Sequence, residues 1–473
     1  MRKGLVIAIS AVVVLGGSYA WLTIAKPFGK QASQVVTVSG SKVLIAADIS
    51  KIERVAVKRP GEKAHAFVRK GDVYSLEGRP EVMLSNNAVV AAFSAVSSLE
   101  ATGIIDAAPR NPAEFGLGSP GLVVVGVAGR AALGLEIGDR SPGGEVYVRL
   151  PGTTAVYAVS SNVIQSFYGA LDDFRDRSLP AIDTQNIKYL RIKRGGGGVI
   201  EIEDRPSEYD DFYMTSMYLR KPFRHRYPVR RDGFDALVKA MPARLSIQGF
   251  VDDPKPLAEY GLESPIMDLS MGDGASTLRL LTGKPAAADT VYAKLPDKPQ
   301  VFTVRKASVD FAVKADAFAL ANHLPLLVPI DRVEKLSFRA GDKTFLCEIK
   351  RKELPRAADA KSGDKAEYEA TYTVNGGAID EGAFKRIYQT VIGITFEGAN
   401  PKALDAKSMK VEATVTFWQS GGRPTRNFEF VSANSDFYAL LFEGDAEFLI
   451  TKSQVKDAVT RLETEFARSR NGD

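Results

Sequence analysis

One twelve-residue segment, Arg220–Arg231, is the most conspicuous charged stretch of this chain. Seven of its residues are basic when His225 is counted, and two aromatic residues, Phe223 and Tyr227, lie among them. Such a cluster attracts anionic groups: lipid headgroups, an acidic polymer, or an acidic patch on another subunit. The side chains predicted to make this contact are Arg220, Lys221, Arg224, Arg226, Arg230 and Arg231.

The alternative interpretation of this basic segment is a solvated loop whose charge is balanced locally. Six carboxylates stand shortly before it in the sequence: Glu201, Glu203, Asp204, Glu208, Asp210 and Asp211. Opposite charges so close along the chain reduce the field that a distant partner would feel. The sequence leaves both interpretations open.

Metal and thiol chemistry is disfavoured by the few residues that could perform it. The single cysteine, Cys347, lies in a strand-like run and is predicted to be a small buried apolar residue. The three histidines, His65, His225 and His323, are 160 and 98 residues apart, so no two have the spacing of metal ligands. We therefore predict no metal, no cofactor and no intramolecular disulfide.

Two pairs of neighbouring carboxylates, Asp172-Asp173 and Asp252-Asp253, could suggest acid–base catalysis. Adjacent residues of a strand point to opposite faces, and both pairs sit beside turns, so they are predicted to be solvated turn residues. The run Gly195–Gly198 lacks the lysine and hydroxyl residue of a phosphate loop and is predicted to be a hairpin turn. The chain is therefore predicted not to be an enzyme.

The N-terminal end carries an apolar run, Gly4–Ala25, without charge over 22 positions and preceded by Arg2 and Lys3. This run is long enough for a membrane span, and the preceding positive charges favour a cytoplasmic N-terminus. We predict an anchor over residues 1–26 that places the bulk of the chain outside the cytoplasm, in a single-pass protein of the bacterial inner membrane. A cleaved signal peptide is the alternative, because Ser18-Tyr19-Ala20 offers small residues at a cleavage site.

Bulk composition is that of a globular protein. The 473 residues are 45% hydrophobic and 25% charged, which allows sizeable buried cores. A net charge of +5 is small for this length and does not favour a nucleic-acid partner, which would require a much stronger concentration of basic charge.

Three stretches of the chain are versions of one another and begin at Val146, Val291 and Phe437. Their second-position tyrosines, Tyr147, Tyr292 and Tyr438, lie 145 and 146 residues apart. Two further matches have the same spacing: Gly103–Asp106 with Gly249–Asp252, and Phe115–Pro120 with Tyr260–Pro265. Agreement between separate matches indicates a module that is used three times.

We predict three modules, at residues 43–181, 182–325 and 326–470. The predicted fold class is α+β: an N-terminal transmembrane helix followed by three tandem repeats of an antiparallel sheet with packed helices. The recurring Gly-Leu-x-Ser-Pro turn is predicted to be a structural hinge. Its glycine ends a helical turn in the left-handed conformation, and its proline begins an extended strand.

A set of motifs in fixed order connects the first module to a known family. The motifs are Phe115–Pro120, Leu135–Arg140, Val146–Pro151 and Asp173–Leu179, the last reading Asp-Phe-Arg-Asp-Arg-Ser-Leu. This ordered set resembles the domain-of-unknown-function 4340 family. The resemblance is clear over residues 43–180, recognisable to about 320 and faint afterwards. The second module has Phe318–Leu324 in place of the Phe-Arg-Asp-Arg segment.

The resemblance implies a membrane-anchored envelope protein without known catalytic activity, associated with transport systems of the ABC type. We therefore expect a non-enzymatic extracytoplasmic scaffold or accessory subunit of an inner-membrane complex, with ABC-type permease subunits as partners. The alternative is an envelope module that binds a glycan, a lipid or another anionic ligand.

Overall fold

The computed structural model describes residues 37–38, 41–208, 215–242, 244–354, 368–400, 409–442 and 444–471. Within these ranges, no helix combines the length and the apolar character that a membrane span requires. The predicted anchor, Gly4–Ala25, lies outside the described residues, so it stays a prediction.

The described residues are mostly β-sheet with few helices. The α-helices are α1 Asn86–Ser97, α2 Ser161–Phe167, α3 Arg231–Ala240, α4 Asp310–Lys314, α5 Ala317–Leu320, α6 Glu381–Ile392 and α7 Lys452–Asn471. The strands before α2 are β1 Thr37–Val38, β2 Ser41–Ala46, β3 Ile52–Lys58, β4 His65–Lys70, β5 Val73–Leu76, β6 Ser98–Ala101, β7 Gly103–Asp106, β8 Gly121–Val127, β9 Leu133–Arg140, β10 Val146–Arg149 and β11 Val156–Val159.

The remaining strands continue in chain order. From residue 189 to residue 305 they are β12 Tyr189–Arg194, β13 Val199–Asp204, β14 Met217–Lys221, β15 Tyr227–Pro228, β16 Ile247–Phe250, β17 Met267–Gly272, β18 Thr277–Pro285, β19 Thr290–Lys294 and β20 Phe302–Arg305. After residue 332 they are β21 Val333–Ala340, β22 Lys343–Glu353, β23 Tyr368–Val374, β24 Gly377–Ile379, β25 Gly398–Ala399, β26 Val411–Gln419, β27 Arg426–Ser432, β28 Phe437–Phe442 and β29 Asp445–Thr451.

Three large sheets repeat one strand order. The first runs β5-β4-β3-β8-β9-β10-β11-β7, the second β15-β14-β13-β12-β17-β18-β19-β20-β16, and the third β24-β23-β22-β21-β26-β27-β28-β29-β25. In each sheet a short strand from the stretch after the first helix of the repeat lies at one end, beside the last strand of the repeat; these short strands are β7, β16 and β25. The strand pairs for which registers are defined are antiparallel. The antiparallel sheets of the predicted fold are thus confirmed, whereas the helices are a smaller part than an α+β class implies.

The chain forms two compact units. The first contains the described residues up to Ser178 together with Ser246–Pro254 and Lys294–Phe302, and the second contains Leu179–Leu245, Lys255–Ala293 and the chain from Thr303 onward. The predicted module boundaries at 181 and 325 are not tested by this division and stay a prediction.

Alternating apolar residues build the core of the first unit. In β3, Val55 is fully buried and pairs with two buried residues of the adjacent strands, Phe67 of β4 and Val125 of β8. The predicted helix after Ser85 is confirmed as α1, which buries Val89, Ala92, Phe93 and Val96, and the Ser85 side chain accepts a hydrogen bond from Ala88 N at its start. This apolar face closes one side of the sheet.

The predicted hinge has the expected backbone in both copies. Gly116 and Gly261 have φ of 71° and 68° and end the short helical turns Pro112–Phe115 and Leu257–Tyr260. The repeat tyrosines pack on the same turns, since Tyr147 and Phe115 have ring centroids 5.1 Å apart and Tyr292 and Tyr260 have centroids 4.9 Å apart. In both copies the recurring motif therefore forms a tight turn that packs against the tyrosine of its own repeat. The corresponding third segment, 401–408, lies outside the described residues.

Candidate functional site

The basic segment lies in the second unit and contacts a strand of the third sheet. The Glu447 carboxylate of β29 accepts hydrogen bonds from the backbone N of Arg224 (2.5 Å), the backbone N of His225 (3.2 Å) and the Tyr227 hydroxyl (2.9 Å). Asp445 lies 2.6 Å from Arg224 Nη1 and 3.0 Å from His225 Nε2. Two carboxylates more than 200 residues away therefore hold the middle of the segment.

Aromatic contacts accompany these polar ones. The Phe448 ring lies 4.6 Å from the Phe223 ring and 4.7 Å from the Tyr227 ring, centroid to centroid. Phe223 and Tyr227 are buried. The aromatic residues of the basic segment therefore belong to the core of the second unit and do not line an open binding surface.

The other predicted contact residues lie around this centre. Arg220 on β14 pairs with Glu203, a member of the preceding acidic stretch, at 3.3 Å. Arg230 lies 2.7 Å from Asp232 and 3.3 Å from His323 Nδ1. The exposed members are Arg220, Lys221, Arg224, Arg226 and Arg231, with Arg231 at the start of α3. Binding of an anionic partner at these six residues stays a prediction.

A second cluster of charged residues lies in the first unit, and its contacts were not predicted from the sequence. Arg175 belongs to the Phe-Arg-Asp-Arg motif, its side chain is fully buried, and its Nη2 donates to Asp252 Oδ1. Arg79 donates to the same oxygen, and the Arg175 guanidinium lies 4.6 Å from the Phe250 ring centroid. The predicted solvated pair Asp252-Asp253 thus contains a residue with a specific structural partner. The signal in the sequence was the repeat of Gly-x-x-Asp at 103 and 249.

The electrostatics of Asp252 disfavour an acid–base role. Partial burial raises the pKa of its carboxyl. Arg175 and Arg79 lower that pKa by a larger amount, through their hydrogen bonds and their charges, so the pKa lies below its usual value. A carboxyl that stays ionised and paired is a poor proton donor near neutral pH.

The segment Phe174–Ser178, called here the first junction segment, is held by backbone hydrogen bonds on two sides. Phe174 O accepts from Ser85 N (2.8 Å), and Asp176 N donates to Met83 O (3.1 Å). On the other side, Arg177 O accepts from Ile247 N (2.9 Å), next to a β-bridge between Ser178 and Ser246. The junction segment therefore extends the edge of β16.

A second junction segment, Leu320–Leu324, has the same geometry inside the second unit. Leu320 O accepts from Arg230 N (2.8 Å), Asn322 N donates to Pro228 O (2.9 Å), and Phe396 N donates to His323 O (2.9 Å). The side chains of Asp176 and Asn322 each accept from the backbone N two residues later, at 2.9 Å. The Phe-Arg-Asp-Arg segment is thus replaced in the second repeat by Leu-Ala-Asn-His, with the backbone contacts kept. The sequence placed Phe318–Leu324 at this position, but it did not show that the contacts of the segment are kept.

The remaining candidates for chemistry have defined surroundings in the structure. Cys347 is buried, and burial raises the pKa of its thiol to about 12, which suits the predicted apolar role. Among the described residues, no group of three His, Cys, Asp or Glu residues could hold a metal ion. Asp172 lies 3.4 Å from Arg175 Nε and 3.3 Å from Arg177 Nη2, and Asp173 accepts from the Ala170 backbone. Gly195–Gly198 lies in the turn between β12 and β13, as predicted.

His65 on β4 of the first unit has a pKa that its surroundings lower strongly. Its ring contacts Phe67 at 5.3 Å, and its Nε2 is buried without a hydrogen-bond partner among the described residues. Burial, with a smaller contribution from the Arg59 charge, lowers its pKa to about 4. The folded protein therefore keeps this imidazole neutral in a range where the unfolded chain protonates it.

This difference predicts a loss of stability in mild acid. The unfolded imidazole titrates near pH 6.5, so stability is complete above that pH and decreases as pH falls toward 4. We expect the step from pH 7 to pH 5 to cost wild type about 2 kcal/mol more than the His65→Gln variant. Hydrogen-exchange mass spectrometry of β3 and β4 peptides measures the difference, in which the shared titration of carboxylates cancels. Equal pH dependence of the two proteins would contradict the assignment to His65.

Comparisons with known proteins place this geometry in a family. The model of the family "Domain of unknown function (DUF4340)" matches residues 76–256 and 224–410. The first match contains Arg79, Arg175 and Asp252, and the second extends well beyond residue 320, where the resemblance in sequence is faint. No curated protein sequence matches this chain.

Two solved structures are similar only over weak superpositions. A DNA polymerase sliding clamp from Pseudomonas aeruginosa with ligand is 8% identical, covers 86% of this chain and 93% of its own, and has a TM-score of 0.12. The same clamp in another crystal structure is 9% identical, covers 85% and 91%, and has a TM-score of 0.10. Scores this low carry no inference about fold or function. Because the two matches to the family model together span more than half of the chain, this protein belongs to the DUF4340 family.

Proposed function

We propose that this protein is a non-enzymatic accessory subunit or scaffold of a membrane complex of the ABC transporter type. An anchor at residues 1–26 holds it in the inner membrane, and three tandem modules at 43–181, 182–325 and 326–470 act outside the cytoplasm. The association with ABC-type permease subunits rests on the family resemblance. The anchor rests on the apolar run Gly4–Ala25 and the charges before it.

The observation that carries the proposal is the shared strand order of the three sheets. A module that is used repeatedly presents similar edges and faces several times, which suits the contact surface of a scaffold better than a single reaction centre. The charged groups of the chain support the same view. Arg175 with Asp252 and Arg224 with Asp445 are used within the folded units to join one repeat to the sheet of the next.

Affinity purification of the full-length tagged protein from native membranes tests the proposal. In a mild detergent, we expect it to migrate in a native gel well above the 51.2 kDa of one chain, together with membrane subunits identified by mass spectrometry. The control is the same tag on an unrelated single-span protein, which should not recover those subunits. Recovery of a lone monomer would contradict the accessory role.

A further inference from the structure

One end of the first sheet exposes apolar and basic side chains together. Val73, at the start of β5, is 68% exposed, and Ile49, in the short helical turn before β3, is 37% exposed. Lys51 and Lys70 beside them are exposed as well. A single exposed apolar residue is ordinary, but exposed apolar residues among cations are typical of a surface that meets lipid headgroups.

Hydrogen bonds join the loops that carry these residues. The Arg69 side chain donates to the backbone oxygens of Ile49 (3.0 Å) and Gly71 (2.9 Å), and Ala128 N donates to Lys51 O (2.8 Å). Residues 48–51, 69–73 and 128–130, called here the tip, therefore form one surface that the fold of the first unit holds together.

The tip carries an excess of positive charge. Its four cations are Lys51, Arg69, Lys70 and Arg130, and its two carboxylates are Asp48 and Asp72, which gives a net charge of +2. The Asp48 carboxylate is used within the tip, since it accepts hydrogen bonds from Ser50 N (2.9 Å) and Ser50 Oγ (2.7 Å). Each exposed cation near an anionic membrane surface strengthens binding about fivefold.

The direction of the first strands relates the tip to the N-terminal side of the chain. β1 and β2 pair antiparallel, with Thr37 opposite Lys42. β2 ends at Ala46, whose backbone oxygen accepts a hydrogen bond from Arg130 of the tip (2.8 Å). Because β1 runs opposite to β2, the chain enters β1 from the end of β2 that lies next to the tip.

The proposed anchor limits how far the tip can lie from the bilayer. Ten residues, 27–36, separate the anchor from Thr37, and a chain of that length spans at most about 36 Å. A tether this short gives the tip a high local concentration at the membrane surface. A weak contact, such as two apolar side chains and a few cations provide, is then sufficient to hold it there.

We propose that the tip is a membrane-docking surface that binds anionic lipid headgroups. Lys51 and Lys70 pair with the headgroup phosphates, and Ile49 and Val73 lie at the boundary between headgroups and acyl chains. The tether favours the bilayer over a protein partner, because a lipid surface is present wherever the anchor is inserted. The inference rests on the proposed anchor, to which it adds a second membrane contact that orients the first unit relative to the bilayer.

Quenching by lipids tests the docking surface in full-length protein reconstituted into vesicles. A bimane group is attached at Val73→Cys, and the vesicles contain phosphatidylglycerol, with part of the lipid brominated in the acyl chains. The natural cysteine, Cys347, is 1% exposed and should not react. We expect strong quenching at position 73 and none at Ala64→Cys, an exposed position at the opposite end of β4.

Charge reversal separates a headgroup contact from a purely apolar one. Lys51→Glu combined with Lys70→Glu should lower the ratio of docked to free tip at least tenfold, which is measured as loss of quenching at position 73. Lys58→Glu combined with Lys63→Glu makes the same change in charge at the opposite end of β3 and should leave the quenching unchanged. Since all four lysines are exposed, circular dichroism of both variants should match wild type.

Each other outcome overturns a defined part of the inference, with a bimane at Val13→Cys as the reporter of the anchor. If position 13 is quenched and position 73 is not, the docking surface is wrong and the anchor stands. If position 13 is not quenched, the anchor and the docking surface both fail. Equal quenching at positions 64 and 73 would show that the first unit meets the membrane without a preferred end. Equal quenching in vesicles of phosphatidylcholine alone would remove the role of the lysines.

Discussion

Replacing Arg175 with alanine is expected to destabilise the first unit by about 3 kcal/mol. The side chain is fully buried, packs on Phe250 and donates to Asp252, so truncation leaves a cavity and removes one of the two guanidinium partners of that carboxylate. The loss should appear as faster hydrogen exchange in peptides that cover β16 and the first junction segment, measured on the full-length protein.

Replacing Arg175 with methionine separates packing from charge. The Nε and Nη1 atoms of Arg175 are buried without hydrogen-bond partners in the described structure, although Nε lies 3.4 Å from Asp172 Oδ1 in poor geometry. Methionine fills most of the same space without those unpaired donors, and Arg79 still pairs with Asp252. We therefore expect a cost of about 1 kcal/mol or less. A methionine variant as unstable as the alanine variant would show that the ion pair, and not packing, holds the junction.

The methionine variant also has a predicted pH signature. Asp252 has a lowered pKa in the folded protein, so the stability it contributes is present above about pH 4 and is lost as pH falls through the folded pKa. Loss of the Arg175 hydrogen bond brings the pKa of Asp252 in the folded protein closer to its pKa in the unfolded chain. Acid destabilisation of the first unit below pH 4 should therefore be shallower in Arg175→Met than in wild type.

Replacing Gly138 with alanine is expected to cost about 3 kcal/mol. A Cβ at this position would lie 2.1 Å from the backbone oxygen of Phe115, and backbone cannot move aside as a flexible side chain does. The second repeat has the same constraint, because a Cβ at Gly283 would lie 2.0 Å from Tyr260 O. The first repeat has Gly138-Asp139-Arg140 here and the second has Gly283-Lys284-Pro285. The close contact explains why the two repeats share the glycine although the next two residues differ.

Thermal unfolding of the full-length variants measures this effect. Gly103→Ala in the first unit and Gly198→Ala in the second are matched controls, since nothing lies within 4 Å of a Cβ at either position and neither has a positive φ. We expect both controls to stay within about 0.5 kcal/mol of wild type. If Gly138→Ala is equally mild, the hinge is not packed against β9 as the structure shows.

The local elements and the repeat could be predicted from the sequence because they depend on short-range signals. The alternation of apolar residues predicted β3, and the Ser85 cap followed by an apolar helix face predicted α1. The glycine of the recurring Gly-Leu-x-Ser-Pro motif predicted the hinge, where the structure shows φ near 70°. The spacing of Tyr147 and Tyr292 indicated one strand order used again, and the strand order of the sheets agrees. Each signal concerns neighbours along the chain or an exact repeat, so composition and spacing were sufficient.

Only the tertiary structure decided what the charged residues contact. Arg224 pairs with a carboxylate 221 residues away, Arg175 with one 77 residues away, and Ile247 meets the backbone of Arg177. No local pattern predicts such pairs, because an exposed loop and a junction segment can have the same composition. Only the packing of the sheets decides which residues come into contact. For the same reason the sequence placed the second junction segment without showing its contacts, since Leu-Ala-Asn-His keeps the backbone hydrogen bonds of Phe-Arg-Asp-Arg with different residues. Long-range packing decides which groups the basic segment contacts. In the structure its central residues, Arg224 and His225, contact Asp445 and Glu447.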